Sequence, residues 1–87
     1  MTLYSIRFGE SFQKDINKIP QKDRKKLLAR IDKLAIEPRP YGYEKLSGME
    51  YYRVRQGNYR IIYSIRDTEL IVLIIKIGHR KDIYRVI

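Results

Sequence analysis

Tyr51-Tyr52-Arg53-Val54-Arg55-Gln56-Gly57-Asn58-Tyr59-Arg60-Ile61-Ile62-Tyr63 is the stretch that decides the fold. Runs of β-branched and aromatic residues flank Gly57-Asn58, a dipeptide suited to a two-residue hairpin turn. Such a turn pairs Arg55 with Arg60, Val54 with Ile61, Arg53 with Ile62 and Tyr52 with Tyr63. Side chains alternate across a sheet with period two, so Arg53, Arg55, Arg60 and Ile62 share one face. Tyr52, Val54, Ile61, Tyr63 and Ile65 share the other, which is the candidate core face. Like charges directly opposed cost roughly 0.2–1 kcal/mol. A fold tolerates that cost more readily where an anion is meant to lie.

Toward the C-terminus a third run, Leu70 to Ile77, follows Asp67-Thr68. Its segment Leu70-Ile71-Val72-Leu73-Ile74-Ile75 is apolar at every position, as in a central strand covered on both faces. A two-residue turn at Asp67-Thr68 sets Ile75 opposite Arg60 and Leu73 opposite Ile62. The arginine face then carries an apolar strip of Ile62, Ile71, Leu73 and Ile75. Either the tail Ile83 to Ile87 or a partner's apolar side chains must cover it.

Toward the N-terminus, Leu3 to Phe8 reads as a short strand broken at Gly9, with Ser11 a candidate helix cap. Phe12, Ile16 and Ile19 recur at helical spacing, and Pro20 ends that helix. A second helix runs from about Gln21 to Ile36, with Leu27, Leu28, Ile31, Leu34 and Ala35 as its apolar stripe. Its Lys and Arg residues form a solvated face. Glu37 to Gly48 is a connector interrupted by two prolines and two glycines, with Leu46 as its anchor. The order strand, helical hairpin, three-strand antiparallel meander predicts an α+β domain over 1–87, helices packed on one face of a single antiparallel sheet. Periodicity does not place the first strand within that sheet.

The 87 residues hold 19 Lys and Arg against 10 Asp and Glu, a formal charge of +9. Such a field attracts polyanions, be they nucleic acid, an acidic protein or an anionic membrane surface. The absence of cysteine excludes a disulfide framework and thiolate chemistry, and it fits a reducing compartment. The opening residues lack the pattern of a signal peptide, and the longest apolar run falls far short of the roughly 20 residues that span a bilayer. The expectation is a soluble, cytoplasmic protein with no membrane contact.

Three segments together resemble the RelE-type toxins of the RelE/ParE toxin–antitoxin superfamily. They are Tyr43-Glu44-Lys45-Leu46-Ser47-Gly48, the Tyr52–Tyr63 hairpin, and Gly78-His79-Arg80-Lys81-Asp82-Ile83-Tyr84. The resemblance extends over nearly the whole chain. It implies the toxin of a type II toxin–antitoxin system, a ribosome-dependent endoribonuclease that cuts messenger RNA in the 30S A site. The 2′-hydroxyl of the message attacks the adjacent phosphate, a mechanism that requires neither metal nor other cofactor. The resemblance also implies an acidic antitoxin as partner, with DNA reached only indirectly through it. Ile62, Leu73 and Ile75 are the candidate antitoxin contacts.

Residue by residue, Arg60 and Arg80 match family positions that hold the scissile phosphate, and Tyr84 matches a tyrosine that orients or stacks on the substrate. Arg53, Arg55 and Lys81 are the remaining phosphate-binding candidates. Arg53 and Arg55 stand where RelE carries lysines, and a guanidinium stays charged and cannot serve as a base. His79, the only histidine, is the first candidate for proton transfer. Glu44 and Glu50 are the carboxylate alternatives. Two rival functions remain at this point: a ParE-like gyrase inhibitor acting by protein binding, and a basic RNA-binding module without catalysis.

Overall fold

The computed structural model describes residues 3–48 and 50–79. Its elements are β1 (Ser5–Phe8), α1 (Phe12–Asn17), α2 (Gln21–Ile36), β2 (Glu44–Lys45), β3 (Tyr52–Gln56), β4 (Tyr59–Arg66) and β5 (Ile71–His79). The strands form one sheet in the order β1-β5-β4-β3-β2. The α+β class and the helical cover on one face are as the residue pattern predicts. Two details differ. β1 runs parallel to β5, so the sheet is mixed at that edge, and the connector contains β2, paired antiparallel with β3.

The core follows from the two periodicities. α2 contributes Leu27, Ile31 and Leu34, all nearly inaccessible, and the sheet answers with Val54, Ile61, Tyr63, Val72, Ile74 and Ile77. Full burial of side chains of this size stabilises by roughly 1.5–3 kcal/mol each relative to exposure. Tyr63 buries its ring completely, and its hydroxyl donates to the Pro38 carbonyl at 2.6 Å. A buried phenol requires such a partner, and here the partner ties the connector to the central strand. Among the described residues no helix is long and apolar enough to cross a membrane.

The β3–β4 hairpin has the register expected from Gly57-Asn58: Arg55 opposite Arg60, Arg53 opposite Ile62, Tyr52 opposite Tyr63. Gly57 supplies the left-handed φ of 61° that the first turn position requires. The β4–β5 register departs from expectation for two reasons. The turn spans 67–70, with Leu70 itself in the left-handed region at φ 55°. Leu73 therefore faces Ser64 and not Ile62. A β-bulge then follows, since Ile62 pairs with Lys76 but the next residue, Tyr63, pairs with Ile74. Ile75 is the extra residue, and Arg60 faces Gly78 and not Ile75.

The bulge sits where β1 stops. Phe8 is the last β1 residue paired with β5. Beyond it the edge of β5 is met by the start of α1: Gly9 N–H donates to the Ile74 carbonyl at 2.8 Å, and Ser11 Oγ lies 3.3 Å from the Ile75 carbonyl. The buried carboxylate of Asp15 accepts from Ile77 N–H at 3.3 Å and from Lys76 Nζ at 2.8 Å. Ser11 thus makes no side-chain cap. It and Asp15, one helical turn apart, stand in for a neighbouring strand.

Candidate functional site

Register and pleat assign every side chain near the hairpin to a face. Glu44 on β2, Arg53 on β3, Ile62 on β4 and Lys76 on β5 lie directly opposite one another in a row across four strands. Two residues further along, Arg55, Arg60 and Gly78 form the next row on the same face. Adjacent strands lie about 4.8 Å apart, so Arg53, Arg55 and Arg60 stand close together, while Lys76 Nζ is drawn to Asp15 at 2.8 Å. This face is turned away from the helices, which cover the side of Val54, Ile61 and Ile77.

Glu44 organises the first row. Its Oε2 accepts from Arg53 at 2.7 Å, and its Oε1 stands 3.9 Å from an Arg55 nitrogen. Arg53 holds its carboxyl below the usual range by that hydrogen bond and by charge, with smaller contributions from Arg55 and Arg60. The carboxylate is therefore within the influence of three guanidinium groups and is ionised at neutral pH. The Nε atoms of Arg53 and Arg60 are both shielded from solvent, while Arg55 is largely exposed.

The expectation that His79 shares this spot is not met. His79 pairs with Tyr59, and the two rings meet edge-to-face at 5.9 Å. Tyr59 packs against the helix-side core, so the imidazole leaves the sheet on the face opposite Arg60. The bulge is the cause, because one extra residue at Ile75 reverses the facing of everything beyond it. Arg80, Lys81 and Tyr84 lie outside the described residues.

Ile62 is also corrected as a partner contact. It is wholly inaccessible within the chain itself. Leu73 and Ile75 are half-buried. They line an open groove of about 400 Å³ together with Glu50, Tyr51, Ser64 and Arg66. Among the described residues no three His, Cys, Asp or Glu side chains gather as a metal site.

Three features of this region escape a reading of residue pattern. Glu44 joins the site through a two-residue strand inside a Pro- and Gly-rich connector. Lys76 joins the face through the bulge. Asp15, from a short helix, holds the edge of β5. Further off, Arg39 from the connector makes a two-pronged contact with Asp67 (2.9 and 3.1 Å), to which the Tyr4 hydroxyl also donates.

Comparison with known proteins adds the following. Residues 6–84 match the family model described as the ParE toxin of the type II toxin–antitoxin system parDE. Toxin RelG of Mycobacterium tuberculosis is 32% identical, with 94% of this chain and 97% of that protein covered. Putative toxin RelE1 of Methanocaldococcus jannaschii is 29% identical, with 94% and 96% covered. Among solved structures, the archaeal RelE–RelB complex from Pyrococcus horikoshii superposes with a TM-score of 0.80 at 30% identity, covering 94% of this chain and 99% of that one. The RelBE2 toxin–antitoxin complex of Mycobacterium tuberculosis also gives a TM-score of 0.80, at 26% identity over 94% of this chain and 97% of its counterpart.

Proposed function

This chain belongs to the RelE/ParE superfamily of type II toxin–antitoxin toxins, and from that premise we propose that it is a ribosome-dependent endoribonuclease that cuts messenger RNA. The observation that carries the reading is the face on which Arg53, Arg55 and Arg60 stand in register around the Glu44 carboxylate. In-line attack by a 2′-hydroxyl concentrates negative charge on a five-coordinate phosphorus, and fixed cations aimed at that charge are the main catalytic requirement. Arg60 clamps the scissile phosphate, while Arg53 and Arg55 hold flanking phosphate oxygens. Arg80, Lys81 and Tyr84 take the roles that the family pattern gives them: phosphate contacts for the first two, the substrate base for the tyrosine.

The base is Glu44. It stands on the guanidinium face, whereas His79 does not, and it is ionised. The carboxylate takes the 2′-hydroxyl proton and O2′ bonds to phosphorus. The bond to O5′ breaks and the departing O5′ takes a proton from water, leaving a 2′,3′-cyclic phosphate and a 5′-hydroxyl, while the proton on Glu44 returns to solvent. His79 performs no step in this scheme. Naked RNA is a poor substrate because the small face does not order a flexible strand by itself, and the ribosome supplies that order.

The partner that restrains the toxin is an acidic antitoxin. Support comes from the neighbours solved as RelE–RelB and RelBE2 complexes and from the charge of +9. Leu73 and Ile75 in the open groove are its apolar contacts. Induced expression followed by primer-extension mapping tests the whole reading. In-frame cuts within translated messages are expected, and they vanish in Arg60→Ala. Intact messages with DNA damage would instead favour the gyrase-directed activity suggested by the ParE name of the matching family model.

A further inference from the structure

We propose that Glu44 occupies, in the free protein, the position that an RNA phosphate takes on the guanidinium face, and that it thereby selects a strand bearing several phosphates over an isolated anion. The inference rests on the reading above, that this face receives RNA phosphates, and it concerns binding rather than the cleavage step.

The geometry is that of a surrogate ligand. β2 consists of two residues, and its pairing with β3 sets Glu44 directly opposite Arg53. One carboxylate oxygen is taken by Arg53 at 2.7 Å while the other faces Arg55 at 3.9 Å. Two oxygens spread over two guanidiniums is the arrangement that the non-bridging oxygens of a phosphodiester also adopt. Carboxylate and phosphodiester each carry one negative charge. Exchange of one for the other therefore leaves the local charge balance unchanged and gives a single anion little advantage.

A strand does gain, because its next phosphates meet Arg60 while the first takes the place of Glu44 on Arg53, releasing the carboxylate to face the 2′-hydroxyl. The displacement is feasible. Glu44 is about half exposed, and an ion pair reaching into water holds only weakly. Nothing in the core depends on it, since β2 is the outermost strand of the sheet.

The test measures binding of a short single-stranded RNA, blocked by 2′-O-methyl groups so that it resists cleavage, together with competition by inorganic phosphate. Glu44→Gln is expected to bind the strand about tenfold more tightly, with the slope of log affinity against log salt steeper by about 0.7, the increment for one more phosphate neutralised on a single strand. Inorganic phosphate is expected to compete in the variant and not in the parent. Glu50→Gln controls for net charge, because Glu50 stands beside Lys45 at 4.0 Å.

Unchanged affinity and slope in Glu44→Gln would overturn the inference. So would weaker binding, which would make Glu44 an organiser of Arg53, and so would equal tightening in Glu50→Gln, which would make the effect one of total charge. These outcomes are separable from failure of the functional reading. That reading fails if Arg60→Ala retains strand binding and message cleavage, whatever Glu44→Gln does.

Discussion

Arg55 and Arg60 stand directly across from each other on β3 and β4, two guanidinium-bearing residues at one cross-strand position. Gly78 follows them on β5, and Glu44, in the row of Arg53, reaches Arg55 from that row at 3.9 Å. Two like charges thus oppose each other across the hairpin, with the carboxylate of Glu44 set to one side of them. Replacing Arg55 by Thr, a good strand former, is expected to raise stability by about 0.2–1 kcal/mol while weakening single-stranded RNA binding. Urea denaturation and anisotropy titration read the two changes, and a destabilised variant would remove the argument that the pairing exists for a ligand.

Arg60 stands on β4, the middle strand of the sheet. Arg60→Ala is expected to lower message cleavage by about 10²–10³ and to abolish growth arrest on induction. Circular dichroism and the thermal midpoint should stay near those of the parent, since the residue sits outside the helix-side core. Full toxicity in this variant would exclude the clamp.

Asp15 is buried, and its loss leaves Ile77 N–H and Lys76 without the acceptor that now serves both. Asp15→Ala is expected to cost about 2–4 kcal/mol, a fall in Tm of about 8–32 °C for a domain of this size. Asp15→Asn keeps an oxygen for the Ile77 amide and should recover part of the loss. Hydrogen exchange at Ile77 distinguishes this account from a general weakening, because that amide should lose protection before those of β3.

The Asp67 carboxyl is held below its ordinary value of 3.8, first by the Arg39 hydrogen bonds and next by the Tyr4 hydroxyl. Its folded pKa is depressed, so the unfolded chain binds the proton more readily. The stabilisation is present above 3.8 and disappears as pH falls through the lower folded value. Thermal midpoints measured from about pH 6 to about pH 2 should fall more steeply in the parent than in Arg39→Gln. Parallel curves would show that the contact between connector and β4–β5 turn contributes nothing to the folded state.

How much of this was legible from residue order depends on which strand is considered. The β3–β4 pairing was readable residue for residue, because Gly57-Asn58 leaves one turn geometry and the apolar residues leave one face. The β4–β5 pairing was not. Leu70 carries no mark of a left-handed turn residue, and in Ile74-Ile75 the extra position of the bulge hides between identical side chains. The misplacement of His79 follows directly, since strict alternation from Leu73 and Ile75 carries it to the arginine face. Glu44 was legible as a carboxylate but not as a neighbour of Arg53, because prolines and glycines masked its strand. The parallel seat of β1 beside β5 depends on contacts more than sixty residues apart in the chain, which local pattern does not encode.

The bulge also has a bearing on which changes in chain length β5 tolerates. Were Ile75 deleted, Ile74 and Lys76 would become neighbours in an unbroken alternation, and each later residue would stay on its present side of the sheet. A deletion at any point after Lys76 would instead roll the end of the strand over, turning apolar flanks to water and polar ones inward. Shortening of this strand is thus permitted at one place, and that place is the one gripped by the start of α1.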